Sequence, residues 1–396
     1  MAEITVQEAP AGPPLAPAES GDRVYFPELD GLRFIAFLLV FLFHQGVPPL
    51  VLSRVVGRTV GRCLRENGWV GVELFFVLSG FLITTLLLRE EAAYGRVDLK
   101  AFWTRRVLRI WPLYYLVVAV SFGLLPWLDG QFSTPDGRNM VGRYLPSFLV
   151  FLGNWSMIIR GPVNYDAQSI LWSVCVEEQF YLAVPLIVAL VRPGLRLPLV
   201  LTGMGAAIAT RAYISSTHPS HLAVHFNTFA QADTLLSGVA LALLLGRDPR
   251  ASRAGAWLAW LQWPIYALAL WVLWRANLAH GAVWRKTWEF VAVWVAGAGV
   301  VAVAVTVPGW FRAALAYPRL VWLGKISYGL YMFHEVAFWL RDRFARAVGW
   351  FPNDQYLLPI LAFALTVGLA AGSYYGFERR FLRLKRGWTR VPSRPV

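Results

Sequence analysis

Ten apolar segments, most of them near or above the ~18 residues that a helix needs to cross a hydrocarbon layer, run through this 396-residue chain. Inside a bilayer no water is present to satisfy backbone N–H and C=O groups. Each spanning segment must therefore close its own hydrogen bonds as a helix or pair into a sealed barrel. Runs of this length mark membrane-spanning helices, so the expected fold is all-α, a polytopic transmembrane helix bundle. The spans are expected near 32–51, 69–88, 110–128, from Ile170 onward, and near 197–214, 227–246, 256–275, 287–306, 320–340 and 356–377. An apolar patch at 145–153 is too short to cross and is expected to be re-entrant or interfacial. With 57% hydrophobic residues and a mean hydropathy of +0.50, a soluble globular domain is excluded.

The net charge of +14 raises the question of nucleic acid, but no basic stretch lies on a soluble domain. Arginines flanking membrane helices account for the sign, and their distribution favours both termini on the cytoplasmic face. Arg54, Arg58, Arg62 and Arg65 run against that bias. Residues 1–27 lack the basic start and apolar core of a signal peptide and are expected to be a disordered cytoplasmic tail. Residues 28–378 form the transmembrane domain, and 379–396 a basic cytoplasmic tail. Cys63 and Cys175 make neither a disulfide framework nor a metal motif.

Charged side chains within spans are costly and mark functional positions. Arg33 and His44 share the first span, eleven residues apart. At about 100° per residue they return to within roughly 20° of one face, with His44 roughly 16 Å further along the axis. A neutral imidazole there is a natural general base for an alcohol. Glu73, in an antiparallel second span, is expected at the depth of His44, where a carboxylate orients the ring. Arg105, Arg106 and Arg109 anchor a helix at the cytoplasmic face. Arg106 and Arg109, three apart, also suit the phosphates of a nucleotide-bearing acyl donor such as coenzyme A.

Glu177 and Glu178 cannot both face lipid, and Glu177 shares a face with Tyr181. Ser327, Tyr331 and His334 form another stripe. Ser79, Trp172, Tyr181, Tyr331 and His334 are the expected lining of an acceptor pocket. The loop histidines His218, His221 and His225 lack a Cys or carboxylate framework, so no metal site is expected.

The blocks Leu29 to His44, Gly71 to Leu82, Phe102 to Tyr115, Leu171 to Pro185 and Ile326 to His334 occur in order, followed by Ser373 to Phe381. Together they resemble the acyltransferase-3 family of integral-membrane acyltransferases, which O-acylate sugars, cell-surface glycans and some antibiotics. The resemblance implies that Arg33 and His44 are an essential intramembrane pair. It also implies that Arg106 and Arg109 are a cytoplasmic arginine motif and that Glu177 is the carboxylate of a Trp-Ser-x3-Glu block. Glu73 stands where relatives often carry Asp. Some relatives append a periplasmic SGNH-type hydrolase domain. Residues 379–396 carry no such domain, so stand-alone transfer is the simpler expectation and a relay partner the alternative.

The expected activity is transfer of an acyl group, acetyl foremost, from acyl-coenzyme A to a hydroxyl. The acceptor classes are a carbohydrate, a cell-surface glycan or a glycosylated natural product such as a macrolide. Acyl-coenzyme A is a co-substrate and no cofactor is bound. His44 would act as base, oriented by Glu73 or Glu177, in a multi-pass protein of the inner cell membrane. The competing class is a transporter or flippase of a glycolipid or acyl carrier, using the same polar stripes as a path.

Overall fold

The computed structural model describes residues 25–45, 57–163, 165–217, 221–275, 283–349 and 357–391. Every regular element among them is helical. The main helices are α1 (Pro27–Gln45), α2 (Arg58–Asn67), α3 (Val70–Tyr94), α4 (Leu99–Leu128), α5 (Pro135–Leu149), α6 (Gly153–Arg160) and α7 (Leu171–Leu190). After these come α8 (Pro193–Thr217), α9 (Thr228–Leu245), α10 (Ala254–Arg275), α11 (Val283–Thr306), α12 (Pro318–Lys325), α13 (Ser327–Ala347) and α14 (Leu357–Ser373). Local chemistry sets several starts. Asp98 caps α4 by accepting from the Ala101 amide, and Asn227 caps α9 by accepting from Phe229 and Ala230.

Eight helices among the described residues are long and apolar enough to cross a membrane. The first and ninth expected spans fall outside that set for a physical reason: they are the polar interior. Helix α1 carries Glu28, Asp30 and Arg33, yet Leu29, Leu32, Ala36, Phe37 and Val40 are buried along it. Helix α13 is buried almost continuously from Gly329 to Phe338, with His334 and Glu335 in that stretch. The apolar helices shield both from lipid, so their polar groups face protein. The ninth span also breaks at Ile326 into α12 and α13.

Helix α1 begins earlier than the expected 32. Glu28 is buried there against Arg250 at 2.9 Å and Arg312 at 3.7 Å. Residues 46–51 of that expected span lie outside the described residues, as does the N-terminal segment 1–24. Helices α3 and α9 cross in close contact. A methyl group on Gly80 would collide with the Leu235 carbonyl, and one on Gly238 with the Val77 carbonyl. Only glycine permits this approach, which sets the depth of Ser79 in the bundle.

The 145–153 patch is neither a span nor a re-entrant loop. Helix α5 ends in it, Phe151 turns the chain with φ 57°, and α6 begins at Gly153. Phe148 is buried, and Phe151 stacks on Tyr114 at 4.5 Å, which holds this left-handed residue in place. Gln168 donates to the Ser121 carbonyl at 2.9 Å, and Tyr165 donates to Asp129 at 3.1 Å. The end of α4 and the approach to α7 thus lie at one end of the bundle, and the patch adds no crossing. At the opposite end, residues 379–391 pack back on α3 and α4. Arg390 pairs with Asp98 at 2.6 Å, and Tyr94 donates to the Arg390 carbonyl.

Candidate active site

Helices α1, α3, α4, α7 and α13 enclose a cavity of ≈ 90 Å³ lined by Arg33, Ser79, Arg106, Arg109, Glu177, Tyr181 and Tyr331. Helical spacing delivers these groups in pairs. Arg106 and Arg109 lie three apart on α4, and Glu177 and Tyr181 four apart on α7. Ser79 ties the second pair to α3: it donates to Glu177 Oε1 at 2.5 Å and shares a hydrogen bond with the Tyr181 hydroxyl at 3.1 Å. Arg33 and Arg106 both face Glu177 electrostatically. The Arg106 guanidinium lies over the rings of Phe102 at 5.4 Å and Tyr181 at 5.6 Å, cation–π contacts that hold it. The cavity therefore presents three guanidinium groups and one half-buried carboxylate, which Arg33 and Arg106 both face.

A polar column leads away from it toward the other end of α1. Tyr331, on the cavity wall, shares a 2.7 Å hydrogen bond with Ser173 and donates to the Ile170 carbonyl. The carbonyl of Tyr331 lies 2.5 Å from His334 Nδ1. The His334 ring stands 5.2 Å from that of His44, centroid to centroid. Glu335 Oε1 lies 3.4 Å from His334 Nε2 and 3.9 Å from His44 Nδ1. Phe37 meets His334 edge-on and Phe41 packs on Phe338, so the stripe from Arg33 to His44 faces α13. The expected shared face is present.

Three expectations on partners are corrected. Glu73 does not orient His44. It is fully buried with Gln231, which donates to it at 3.2 Å, beside the Arg211–Asp233 ion pair. Glu177 does not orient His44 either, because it belongs to the Arg33 cavity. Arg105 is outside the cavity lining. It is spent on Glu90 at 3.0 Å and on the Trp388 carbonyl at 2.7 Å, tying α4 to α3 and to the C-terminal segment. The reason is common to all three. Periodicity ranks faces within one helix, whereas depth between helices depends on where each starts and how closely it packs.

Trp172 lies outside the cavity as well, packed on His225 at 4.6 Å and Phe226 at 5.0 Å. Burial, with Arg211 nearby and then His44, pushes the His225 imidazole down to about 4, so it is neutral at ordinary pH. His218 lies outside the described residues, and so does the side chain of His221. Sequence reasoning missed Ser173 and Glu335. Ser173 adjoins Trp172 in the noted block. Glu335 follows His334 directly, and neighbours on a helix point about 100° apart, so a stripe argument passes over it.

His44, His334 and Glu335 present ligand atoms within 4.8 Å of one another, a spacing that a divalent cation would fit. The hydrogen bonding favours a proton instead. The His44 nitrogen facing Glu335 is 3.1 Å from the Val40 carbonyl, where it carries a hydrogen and offers no lone pair.

A family model described as an acyltransferase domain (Acyl_transf_3) matches residues 26–377. The chain is similar to the peptidoglycan O-acetyltransferase OatA of Listeria monocytogenes, 30% identical over 333 residues, covering 79% of this chain and 49% of that protein. A Bacillus subtilis protein, YrhL, provisionally named a peptidoglycan O-acetyltransferase, is 27% identical over 377 residues, covering 90% of this chain and 54% of its own. A Staphylococcus aureus protein provisionally named an O-acetyltransferase is 28% identical over 326 residues, covering 78% of this chain and 50% of its own. The chain thus spans about half the length of the curated relatives it matches. No solved structure matches it.

Proposed function

This chain belongs to the acyltransferase family of that domain, and from this premise we propose that it moves an acetyl group from acetyl-coenzyme A to a hydroxyl of peptidoglycan or a related cell-wall glycan, within the cell membrane. The acceptor class is taken from the names of its relatives. The donor is argued from the guanidinium-lined cavity, which is the observation that carries the reading. Arg106 and Arg109 sit where α4 enters the bundle and suit a polyanionic donor, because arginine holds phosphate in a bidentate fork.

The separation along α1 divides the labour. Arg33 and His44 lie roughly 16 Å apart along the axis. One carbonyl cannot touch both, so Arg33 guides the donor's arm and His44 meets the reacting atoms. His44 Nδ1–H is directed at the Val40 carbonyl, which leaves Nε2 as the basic nitrogen. The acceptor hydroxyl gives its proton to Nε2 as its oxygen bonds to the thioester carbonyl carbon. The C–S bond then breaks, and the departing thiolate takes the proton from His44. A general base of this kind supplies about 10²–10⁴-fold in rate.

The test uses the full chain in detergent micelles with acetyl-coenzyme A and soluble peptidoglycan strands. Thiol release matched by ester-linked acetyl on the glycan is expected, and its loss in His44→Ala. A folded protein that binds the donor and transfers nothing to any glycan hydroxyl refutes the reading. Activity in micelles also separates the enzyme from a carrier, which needs two sealed compartments.

A further inference from the structure

We infer that Glu335, seated beside His334, is the positioning carboxylate of the His44 base, a role that no sequence motif assigns to it. The inference rests on the reading of His44 as base. It starts from hydrogen positions. His334 Nδ1 faces the Tyr331 carbonyl at 2.5 Å and must carry its hydrogen there, so His334 Nε2 is a bare acceptor. That nitrogen lies 3.4 Å from Glu335 Oε1, and neither atom has a hydrogen-bond donor. Both residues are buried, His334 completely. Two acceptors confronting each other in a low-dielectric interior form a place prepared for positive charge.

The nearest group that acquires such charge during the reaction is His44. Its Nδ1 lies 3.9 Å from Glu335 Oε1, the only carboxylate at ion-pair distance from His44 among the described residues. As the acceptor hydroxyl gives its proton to Nε2, the imidazolium forms facing Glu335. The charge pair persists until the thiolate takes the proton back. Glu335 touches neither donor nor acceptor, so it acts through His44. Besides His334, five charged or titratable groups face the pair: Asp166 before α7, His225 beside Trp172, Tyr331 one turn back on α13, and Arg341 and Asp342 one to two turns further along it. His225 is neutral, and Arg341 is engaged by Asp342 at 2.7 Å.

The experiment measures kcat, the KM for acetyl-coenzyme A and the pH dependence of kcat, with soluble peptidoglycan strands as acceptor. Glu335→Gln is expected to lower kcat about 10²-fold, since removing the orienting carboxylate of a catalytic histidine costs up to ~10⁴-fold. The KM for acetyl-coenzyme A should stay within about twofold, because the donor cavity is untouched. The acid limb of kcat should move to lower pH as the counter-charge is lost. Glu335→Asp should restore part of kcat, and His334→Gln should fall between wild type and Glu335→Gln.

A Glu335→Gln enzyme with wild-type kcat and pH profile, in a protein that His44→Ala inactivates, overturns this inference and leaves the role of His44 standing. An active His44→Ala overturns the underlying reading instead. If Glu335→Gln does not fold, Glu335→Asp and His334→Gln decide: an unchanged kcat and acid limb in both overturns the inference. A stoichiometric transition metal in the purified protein also overturns it, because the three groups would then be ligands.

Discussion

Ser79→Ala is the sharpest probe of the donor cavity, because one hydroxyl holds two helices in register. Ser79 has a single hydrogen, which it gives to Glu177 Oε1 at 2.5 Å. The 3.1 Å contact with Tyr181 must then run the other way, with the Tyr181 O–H donating to Ser79. Alanine removes a donor from a half-buried carboxylate and an acceptor from a buried phenol together. A hydrogen bond to a charged group is worth about 1.5–3 kcal/mol, and the orphaned phenol adds to that cost. With Glu177 released, its place between Arg33 and Arg106 is lost. At about 1.4 kcal/mol per factor of ten, kcat/KM for acetyl-coenzyme A should fall about 10- to 100-fold. Tyr181→Phe removes only the neutral bond and should cost about tenfold or less. The assay is thiol release in micelles with saturating acceptor, run as a double-mutant cycle with Glu177→Gln. Residues sharing one hydrogen bond should couple by at least about 0.5 kcal/mol. Strict additivity, or a Ser79→Ala enzyme at more than half of wild-type kcat/KM, refutes the argument.

Three further outcomes are expected. Asp233→Asn should lower the melting midpoint in detergent sharply: its fully buried 2.7 Å pair with Arg211 vanishes, and breaking such a pair costs about 3–5 kcal/mol; a midpoint within 1 °C of wild type would be about noise on that scale and contradicts it. Arg106→Lys should raise the KM for acetyl-coenzyme A, whereas Arg105→Lys should leave it unchanged and lower thermal stability instead, as Arg105 holds Glu90; equal KM effects would reverse that division. His225, held down at about 4 by burial, stays neutral in the folded state while the unfolded chain takes up a proton below about 6.5. Its contribution is complete above that value and is lost as pH falls toward 4, at most about 3 kcal/mol. The melting midpoint of wild type should therefore fall relative to that of His225→Phe across that window, and parallel curves would refute it.

Much of the site is legible in the sequence because it depends on local periodicity. The stripe joining Arg33 to His44, the Arg106–Arg109 pair and the Glu177–Tyr181 pair each need only the helical repeat and the cost of placing polar groups in lipid. The helical bundle itself follows from the same cost. The interhelical assignments were beyond its reach. Glu73 stands on the helix packed against α1 and Glu177 on α7, yet it is Glu177 that faces Arg33, while Glu73 faces Gln231.

The sequence by itself determined which side chains share a face, since about 100° per residue is set by backbone hydrogen bonding wherever a helix forms. Only the tertiary structure decided which faces meet, and at what depth. Depth is fixed by long-range contacts: the Gly80–Gly238 crossing that seats Ser79, the break at Ile326 that starts α13, and the packing of Phe37 and Phe41 that sets His44 against Glu335. A shift of a single helical turn moves a group by about 5.4 Å, more than the length of any hydrogen bond, and that is why the partner of His44 had to be read from the fold.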